Sequence, residues 1–402
     1  MNRTYPIIGK PRHYAWGGES YIPTLIGIEN QQKQCFAEWW LGTHPDEPSM
    51  IEVDGEIHSL LDWLRDHPQM QSPAERQGEY PLPFLMKVLD VNQMLAIQVH
   101  PTKLQAEEGF IRQDQLGISR NAPERTYRDR NDKPEMMVAL TPSWLAHGFA
   151  IKAKIIERFT AYDSFVDACD LLRLFGIRTA FEHLMAAPQS EIDDIIVEVV
   201  TKHRAAYQAK QLDESLAEYW VCQSVLGHDS GNDRGLVALM MMNIVHVPVG
   251  HGIYQDAGIP HAYLSGQNVE LMSNSDNVVR IGPTKLHVDL NEVHRLIDYA
   301  EVTPKVLVPE SEGDTVACQN YLHNGSHDFA LRRLSLSDDV NATSYNHQHL
   351  SIALVMSGSI QVNADNYSKT YTKGETFVIP AKHHLKLYSA QCTVYIASYG
   401  AI

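Results

Sequence analysis

The sequence predicts a mainly β fold with an α-helical insert, made of two antiparallel barrels and a helical domain. Strand-like alternation of apolar and polar residues occurs on both sides of a segment with helical periodicity, residues 155–235. Residues 303–402 are again dense in strand-like segments, with glycines at the corners between them, as in a small barrel or jelly roll. The length of 402 residues agrees with two or three domains.

The first barrel is predicted to begin with residues 1–154. Phe84–His100 contains two strand-like pieces around a turn. Side chains alternate along a strand, so Gln98 and His100 in the second piece share one face. Lys103–Gly109 predicts a short helix that ends at its glycine.

The insert, residues 155–235, shows apolar stripes at helical spacing. One helix is expected to start at Asp163-Ser164, a second at Ser190, and a third to run from about Asp213 to Val225. The stripe of the second helix consists of Ile192, Ile195, Ile196, Val199 and Val200. Such stripes indicate packing and shielding, so no chemistry is assigned to this domain.

Strands return after the insert, at Met242–Val249, Gly258–Leu264 and Val269–Arg280, followed by a helix at Leu290–Tyr299. A connector containing proline then leads into the last segment. The predicted domains are therefore a discontinuous first barrel over residues 1–154 and 236–302, the helical insert over 155–235, and a second barrel over 303–402.

Composition excludes several classes of function. The chain carries 33 Lys+Arg against 49 Asp+Glu, a net charge of −16, which argues against a nucleic-acid partner. It has no run of about 18 apolar residues, so no membrane span is expected. Its five cysteines are scattered without a CxxC pair, which favours a reducing, cytoplasmic location.

Four residues are candidates for a metal site. Gln98 and His100 can reach one ion from the same strand face, Glu135 starts an apolar strand, and His261 follows a tight turn. Each alone is more often an ordinary hydrogen-bonded or solvated side chain. Together they form a mixed nitrogen and oxygen set that suits a catalytic zinc ion with a position left for water or substrate.

Six short motifs, in the same order along the chain, resemble those of the type I mannose-6-phosphate isomerases, zinc enzymes of the cupin superfamily. The motifs are Tyr14–Gly18, Ala37–Pro45, Gln98–Pro101, Asn131–Glu135, Gly258–Gly266 and Ser275–Arg280. The resemblance implies two cupin-like jelly-roll barrels plus a helical domain. It also implies aldose–ketose isomerisation between mannose 6-phosphate and fructose 6-phosphate through an enediol.

Residue by residue, the resemblance implies one zinc ion per chain, with Gln98, His100, Glu135 and His261 as its ligands. It places Arg280, Asp276, Lys133 and Lys87 in the catalytic pocket. The two lysines and the arginine are expected to bind the phosphate or the enediolate, and Asp276 or the lysines to transfer the proton. The partner is then a small-molecule sugar phosphate, and a monomer is expected, with an oligomer left open.

Two departures from the family pattern leave alternatives open. Asp132 stands where the family commonly has histidine, and after Arg280 the usual Gly-Leu-Thr-Pro-Lys is replaced by Gly282–Leu286, so Lys285 is left out of the catalytic set. A paralogue that isomerises another sugar or sugar phosphate is therefore one alternative. A non-catalytic, metal-stabilised sugar-binding protein is another.

The second barrel contains histidines at positions 347, 349, 383 and 384, which loosely match a metal-binding pattern. The glutamate expected shortly after the first pair is missing, since residues 350–356 contain no carboxylate. We therefore favour exposed or hydrogen-bonded histidines over a second metal site.

Overall fold

A computed structural model describes residues 3–77, 80–228, 231–311, 318–321, 323, 329–337, 342–346, 348–364, 367–389 and 391–400. The strands in these ranges are β1 (Tyr5–Ile8), β2 (Lys10–Arg12), β3 (Glu38–Gly42), β4 (Met50–Val53), β5 (Glu56–Ser59), β6 (Phe84–Val91), β7 (Ile97–Val99), β8 (Glu135–Ala139), β9 (Ser143–Phe149), β10 (Met242–Val247), β11 (Gly252–Gln255), β12 (His261–Ser273), β13 (Val279–Gly282), β14 (Glu310–Ser311), β15 (Cys318–Tyr321), β16 (Ala330–Leu336), β17 (Ala342–Asn346), β18 (Ser351–Ala364), β19 (Tyr367–Thr372), β20 (Thr376–Ile379), β21 (His384–Tyr388) and β22 (Cys392–Ser398).

The α-helices of the described residues are α1 (Tyr21–Ile26), α2 (Leu60–Asp66), α3 (Lys103–Gln115), α4 (Lys152–Phe159), α5 (Val166–Phe175), α6 (Ile177–Ala186), α7 (Gln189–Gln208), α8 (Ala217–Cys222), α9 (Arg234–Leu239) and α10 (Leu290–Leu296). The mainly β class with a helical insert, predicted from the sequence, is confirmed.

Strand β12 is the centre of the first sheet. It is 13 residues long and pairs in antiparallel fashion with β6, β7, β8 and β9. The register places His261 opposite Gln98 on β7 and opposite His147 on β9. Directly opposite residues of an antiparallel ladder share a face. Strand β12 thus brings side chains from distant parts of the sequence to one wall.

A second sheet has the order β14-β15-β16-β22-β18-β20-β1-β4-β5, with β17, β19 and β21 attached. Strands β1, β4 and β5 come from the first 60 residues, yet β1 pairs with β20, so that Tyr5 lies opposite Val378. The sequence prediction assigned all of residues 1–154 to the first barrel. In the structure, β1, β4 and β5 instead belong to the sheet formed by the strands of the last segment. Tyr5 and Ile7 are buried in one apolar cluster with Ile352 and Val378, which explains the pairing.

The helices α4 to α9 form the insert between β9 and β10. Helix α7 is 20 residues long and buries the five predicted apolar residues of its stripe, which confirms that prediction. Helix α6 was not predicted as a separate element. It follows α5 after Gly176, whose φ of 90° allows the chain to turn between the two helices.

Helix α3 does not end at Gly109, so the prediction of a short helix closed by this glycine is wrong. The helix begins with a capping box at Thr102 and continues to Gln115. A Cβ at position 109 would overlap the ring of Tyr127. The glycine therefore serves a close packing contact inside the helix and does not terminate it.

No helix of the described residues is both long and apolar enough to cross a membrane. All five cysteines are free thiols.

We expect Gly109→Ala to lower the stability of the protein. Alanine gains up to about 1 kcal/mol in helix propensity over glycine, but forcing its methyl group against the buried ring of Tyr127 costs about 1–3 kcal/mol. The midpoint of urea unfolding should therefore fall. Glu108→Ala, at the exposed neighbouring position, is the matched control and should leave the midpoint nearly unchanged. Equal midpoints for the two variants would contradict the packing role of Gly109.

Candidate active site

Three of the predicted metal ligands lie close together and buried at the ends of strands of the first sheet. His100 directly follows β7, Glu135 is the first residue of β8, and His261 is the first residue of β12. Their side chains are almost fully buried, and one ligand atom from each lies within 4.8 Å of the other two. The Glu135 oxygens are 3.3 Å from His100 Nε2 and 3.4 Å from His261 Nε2.

The main chain selects the tautomer of both histidines. His100 Nδ1 is 2.9 Å from the carbonyl oxygen of Asn277, and His261 Nδ1 is 2.8 Å from that of Ile259. A carbonyl only accepts hydrogen bonds, so each Nδ1 must carry the proton and donate it. Burial lowers the pKa of His100 to about 4, which keeps its ring neutral and its Nε2 lone pair free.

Among the residues that the structure describes, three buried atoms of these ligand candidates have no hydrogen-bond partner: His100 Nε2, His261 Nε2 and Glu135 Oε2. Buried polar atoms are rarely left without partners, because the desolvation cost is then uncompensated. Lone pairs that face one another in this way are satisfied by a cation. Two imidazole nitrogens and a carboxylate are the donor set of catalytic zinc sites, so the residues fit that ion.

Gln98 and Arg280 lie in the same row of the sheet as His261. Gln98 is directly opposite His261 on one side and directly opposite Arg280 of β13 on the other. All three side chains therefore share a face. The row continues to His147, whose pKa is lowered to about 4 by burial and then by His261. Sequence reasoning missed His147, a polar residue that lies between Ala146 and Gly148 in β9.

Lys133 is bound to the candidate metal ligand Glu135, with 2.9 Å between Nζ and Oε1. Burial alone would raise the pKa of Glu135, but the charge of Lys133 outweighs it. The pKa of Glu135 is therefore held well below its usual range. The carboxylate is ionised and ready to bind a cation.

Lys87 lies on β6 between two carboxylates. Its Nζ is 2.9 Å from Glu270 and 3.9 Å from Glu38. Burial would lower the pKa of Lys87, but Glu270, Glu38 and Glu135 together raise it. Glu270 also accepts a hydrogen bond from the hydroxyl of Tyr263, at 2.8 Å. The lysine is thus held as a permanent cation.

Asp276 is held by His44. The distance from Asp276 Oδ1 to His44 Nε2 is 3.2 Å, and His44 Nδ1 accepts a hydrogen bond from the backbone N–H of Asp46. His44 therefore carries its proton on Nε2 and donates it to Asp276. Burial would raise the pKa of Asp276, but His44, Lys133 and Arg128 lower it below its ordinary value.

Asn277 connects this region to the loop that precedes Lys133. The side chain is fully buried; its Oδ1 accepts from the backbone N–H groups of Arg128 and Asp129, and its Nδ2 donates to the carbonyl of Asn131. Its own carbonyl accepts from His100. One residue therefore fixes both a metal-ligand candidate and the loop beside it. The sequence motif contained Asn277, but no local pattern indicated this role.

The remaining sequence candidates lie outside this cluster. Lys285 is exposed, in keeping with its omission from the catalytic set. Of the histidines in the second barrel, His347 lies outside the described residues. His349 is 2.9 Å from the hydroxyl of Ser72, and His383 Nδ1 is 3.0 Å from the carbonyl of Ala381. Among the residues that the structure describes, no metal-ligating cluster includes His349, His383 or His384.

A buried set of nitrogen and oxygen donors on one β-sheet, with a helical insert and a second sheet, is the arrangement that a metal-dependent protein of the mainly β class would show. Comparison with known proteins specifies the family within this class. A family model described as "Phosphomannose isomerase type I, catalytic domain" matches residues 5–151.

The chain is 36% identical to mannose-6-phosphate isomerase of Salmonella typhimurium over 299 residues, which cover 71% of this chain and 73% of that protein. It is 31% identical to mannose-6-phosphate isomerase 2 of Arabidopsis thaliana, with coverages of 74% and 71%. The chain therefore belongs to the type I mannose-6-phosphate isomerases, a family of enzymes.

Solved structures agree with this assignment. A crystal structure of the Salmonella typhimurium enzyme bound to its substrate, fructose 6-phosphate, and zinc superposes with a TM-score of 0.86 at 27% identity. The match covers 99% of this chain and 100% of that one. A zinc-bound mannose 6-phosphate isomerase superposes with a TM-score of 0.87, also at 27% identity and with the same coverage.

We expect Asn277→Leu to destabilise the protein strongly. Leucine has a similar size but leaves the backbone N–H groups of Arg128 and Asp129 without the Asn277 oxygen that accepts from them, and each such group costs about 1–3 kcal/mol. A loss of at least about 2 kcal/mol should appear in urea unfolding. Asn291→Leu, an exposed substitution in α10, is the control. If Asn277→Leu were as stable as this control, the hydrogen bonds of the Asn277 side chain would not be what holds the loop before Lys133 in place.

Proposed function

We propose that this chain interconverts mannose 6-phosphate and fructose 6-phosphate, with one zinc ion held by Gln98, His100, Glu135 and His261. The observation that carries the proposal is the convergence of three buried donor atoms that have no other partner. Zinc and fructose 6-phosphate in the Salmonella typhimurium structure support the same assignment. The proposed ligand roles and the stoichiometry are expectations for this chain.

The reaction requires a proton to leave C2 of the open-chain sugar and a proton to return at C1, with an enediol between the two steps. When bound, zinc supplies a Lewis acid that polarises the carbonyl and hydroxyl oxygens of the sugar. The residues around the site provide fixed charges near the place where negative charge develops, and such preorganised charges stabilise a transition state.

The pKa of Lys87 is raised and that of Asp276 is lowered, and these opposite shifts suit the two residues to different roles. Lys87 has a raised pKa and stays a cation, which suits it to stabilise negative charge on the sugar oxygens. Asp276 has a lowered pKa, and a base works best when its pKa is near the working pH. We therefore assign Asp276 to accept a hydrogen bond from a sugar hydroxyl. Of the lysines, Lys133 is the one bound to a candidate metal ligand, and we propose on this position that it transfers the proton.

Arg280 faces the same side of the sheet as Gln98 and His261. We assign it to the substrate, whose phosphate or enediolate oxygens it binds as a fixed cation. The cytoplasmic location and the monomeric state stay predictions from the sequence.

The function is tested with a coupled assay that follows fructose 6-phosphate formed from mannose 6-phosphate. We expect turnover by the purified protein, its loss after complete removal of zinc by a chelator, and its return when zinc is added back. Turnover that persists without zinc would refute the metal role. Binding of the sugar phosphate without exchange of its C2 proton into solvent would instead indicate a non-catalytic binding protein.

Two substitutions should separate metal binding from substrate chemistry. His261→Ala removes one of few protein ligands, so both zinc content and turnover should be lost. Arg280→Ala leaves the donor atoms in place, so zinc content should stay complete while turnover falls by at least about a hundredfold. Zinc content is measured by atomic emission and turnover by the coupled assay. Near-normal turnover of Arg280→Ala would show that Arg280 has been misassigned.

A further inference from the structure

The proposed substrate carries a phosphate dianion, whereas the chain has a net charge of −16. The protein as a whole therefore repels its substrate, and a local group of cations must offset the repulsion. The most useful cations for this purpose are those that no protein carboxylate already neutralises, because the charge of an ion-paired lysine is already largely compensated.

Two of the cations predicted from the sequence are already paired. Lys87 contacts Glu270 and Glu38. Lys133 contacts Glu135, at 2.9 Å. All of these groups are buried, so the pairs are strong and costly to break. Neither lysine is a suitable primary ligand for the phosphate.

Two arginines beside the metal-ligand cluster are different. Within the described ranges, the guanidinium groups of Arg280 and Arg128 have no ion pair and no side-chain hydrogen bond. Both side chains are half-buried. Arg280 is opposite Gln98 in the sheet, and Arg128 is attached to the same segment because its backbone N–H donates to Asn277, at 2.8 Å.

The two charges act on each other. Burial and then the charge of Arg128 lower the pKa of Arg280, so the two cations repel one another. Arg128 also acts on Asp276, the carboxylate held by His44. A dianion bound between the two guanidinium groups would relieve this repulsion and use charges that form no ion pair within the described part of the chain.

We propose that Arg128 is a substrate-binding residue, which together with Arg280 forms a paired guanidinium site for the phosphate group of the sugar. Arginine suits this task because its planar fork binds phosphate oxygens in pairs. The inference rests on the proposed function for the identity of the sugar, but the anion site itself is testable without turnover. It explains how the enzyme would prefer a phosphorylated sugar to the free one.

The test compares Arg128→Gln with Arg130→Gln in the zinc-loaded, full-length protein. Arg130 is exposed in the same loop, with its guanidinium over the ring of Phe110, so this control removes the same charge two residues away. For Arg128→Gln we expect KM for mannose 6-phosphate to rise about 10- to 100-fold, with a much smaller change in kcat. Arg130→Gln should keep KM within about twofold of the parent.

A second measurement does not depend on catalysis. Calorimetric titration with inorganic phosphate should show affinity reduced about 10- to 100-fold in Arg128→Gln and nearly unchanged in Arg130→Gln. Arg128→Lys keeps the charge and the backbone contact to Asn277, so it should recover part of both losses. Circular dichroism and zinc content show whether each variant is folded and loaded.

The outcomes separate the two proposals. An unchanged phosphate affinity in folded Arg128→Gln overturns the anion site, as does an equal loss in Arg130→Gln. If Arg128→Gln fails to fold, Arg128→Lys decides: a reduced phosphate affinity in the folded, zinc-loaded variant supports the site, and parental affinity overturns it. A parent protein that binds phosphate through Arg128 but does not turn over mannose 6-phosphate would refute the proposed function and leave the anion site standing.

Discussion

The carboxylate of Glu135 lies almost completely out of water, and the need to compensate its charge explains the arrangement around it. Lys133 supplies one cation, and the Nδ1 atoms of the two histidines donate to main-chain carbonyls, which leaves Nε2 of each ring facing the carboxylate. Such a group of acceptors is stable only with a further positive charge between them. The Asn277 contacts and the ladder around β12 follow from this requirement, because they hold the donors in place.

The same principle applies to Lys87 on β6, which has two carboxylate partners and a tyrosine that binds one of them. Buried ion pairs add little net stability, because desolvation offsets most of the attraction. Their value at this site is that the charges are fixed before the sugar arrives and need no rearrangement during the reaction. Arg128 and Arg280 differ from these lysines because they form no ion pair with any residue that the structure describes, which leaves their charge available to a ligand.

Sequence reasoning was strongest where a local rule determines geometry. The spacing of Gln98 and His100 on one strand indicated a shared face. A strand start and a tight turn indicated Glu135 and His261, and motif resemblance added Arg280. The pairings of Lys87 with Glu270 and of Asp276 with His44 could not be predicted, because they join residues more than 180 positions apart. The hydrogen bond between Arg128 and Asn277 and the pairing of β1 with β20 also join residues that are far apart in the sequence. The prediction that Gly109 ends a helix was wrong because glycine occurs both at helix ends and at close packing contacts, and Gly109 is of the second kind.

The pairing of β1 with β20 has a consequence for synthesis of the protein. Tyr5 emerges from the ribosome about 370 residues before its partner Val378. At roughly 5–20 residues per second, the first strand waits about 20–75 seconds for the strand that covers it. During that time one edge of β1 is unpaired, and open strand edges promote association between chains. Nascent or truncated chains that lack residues 376–379 should therefore depend on chaperones more than the complete chain does.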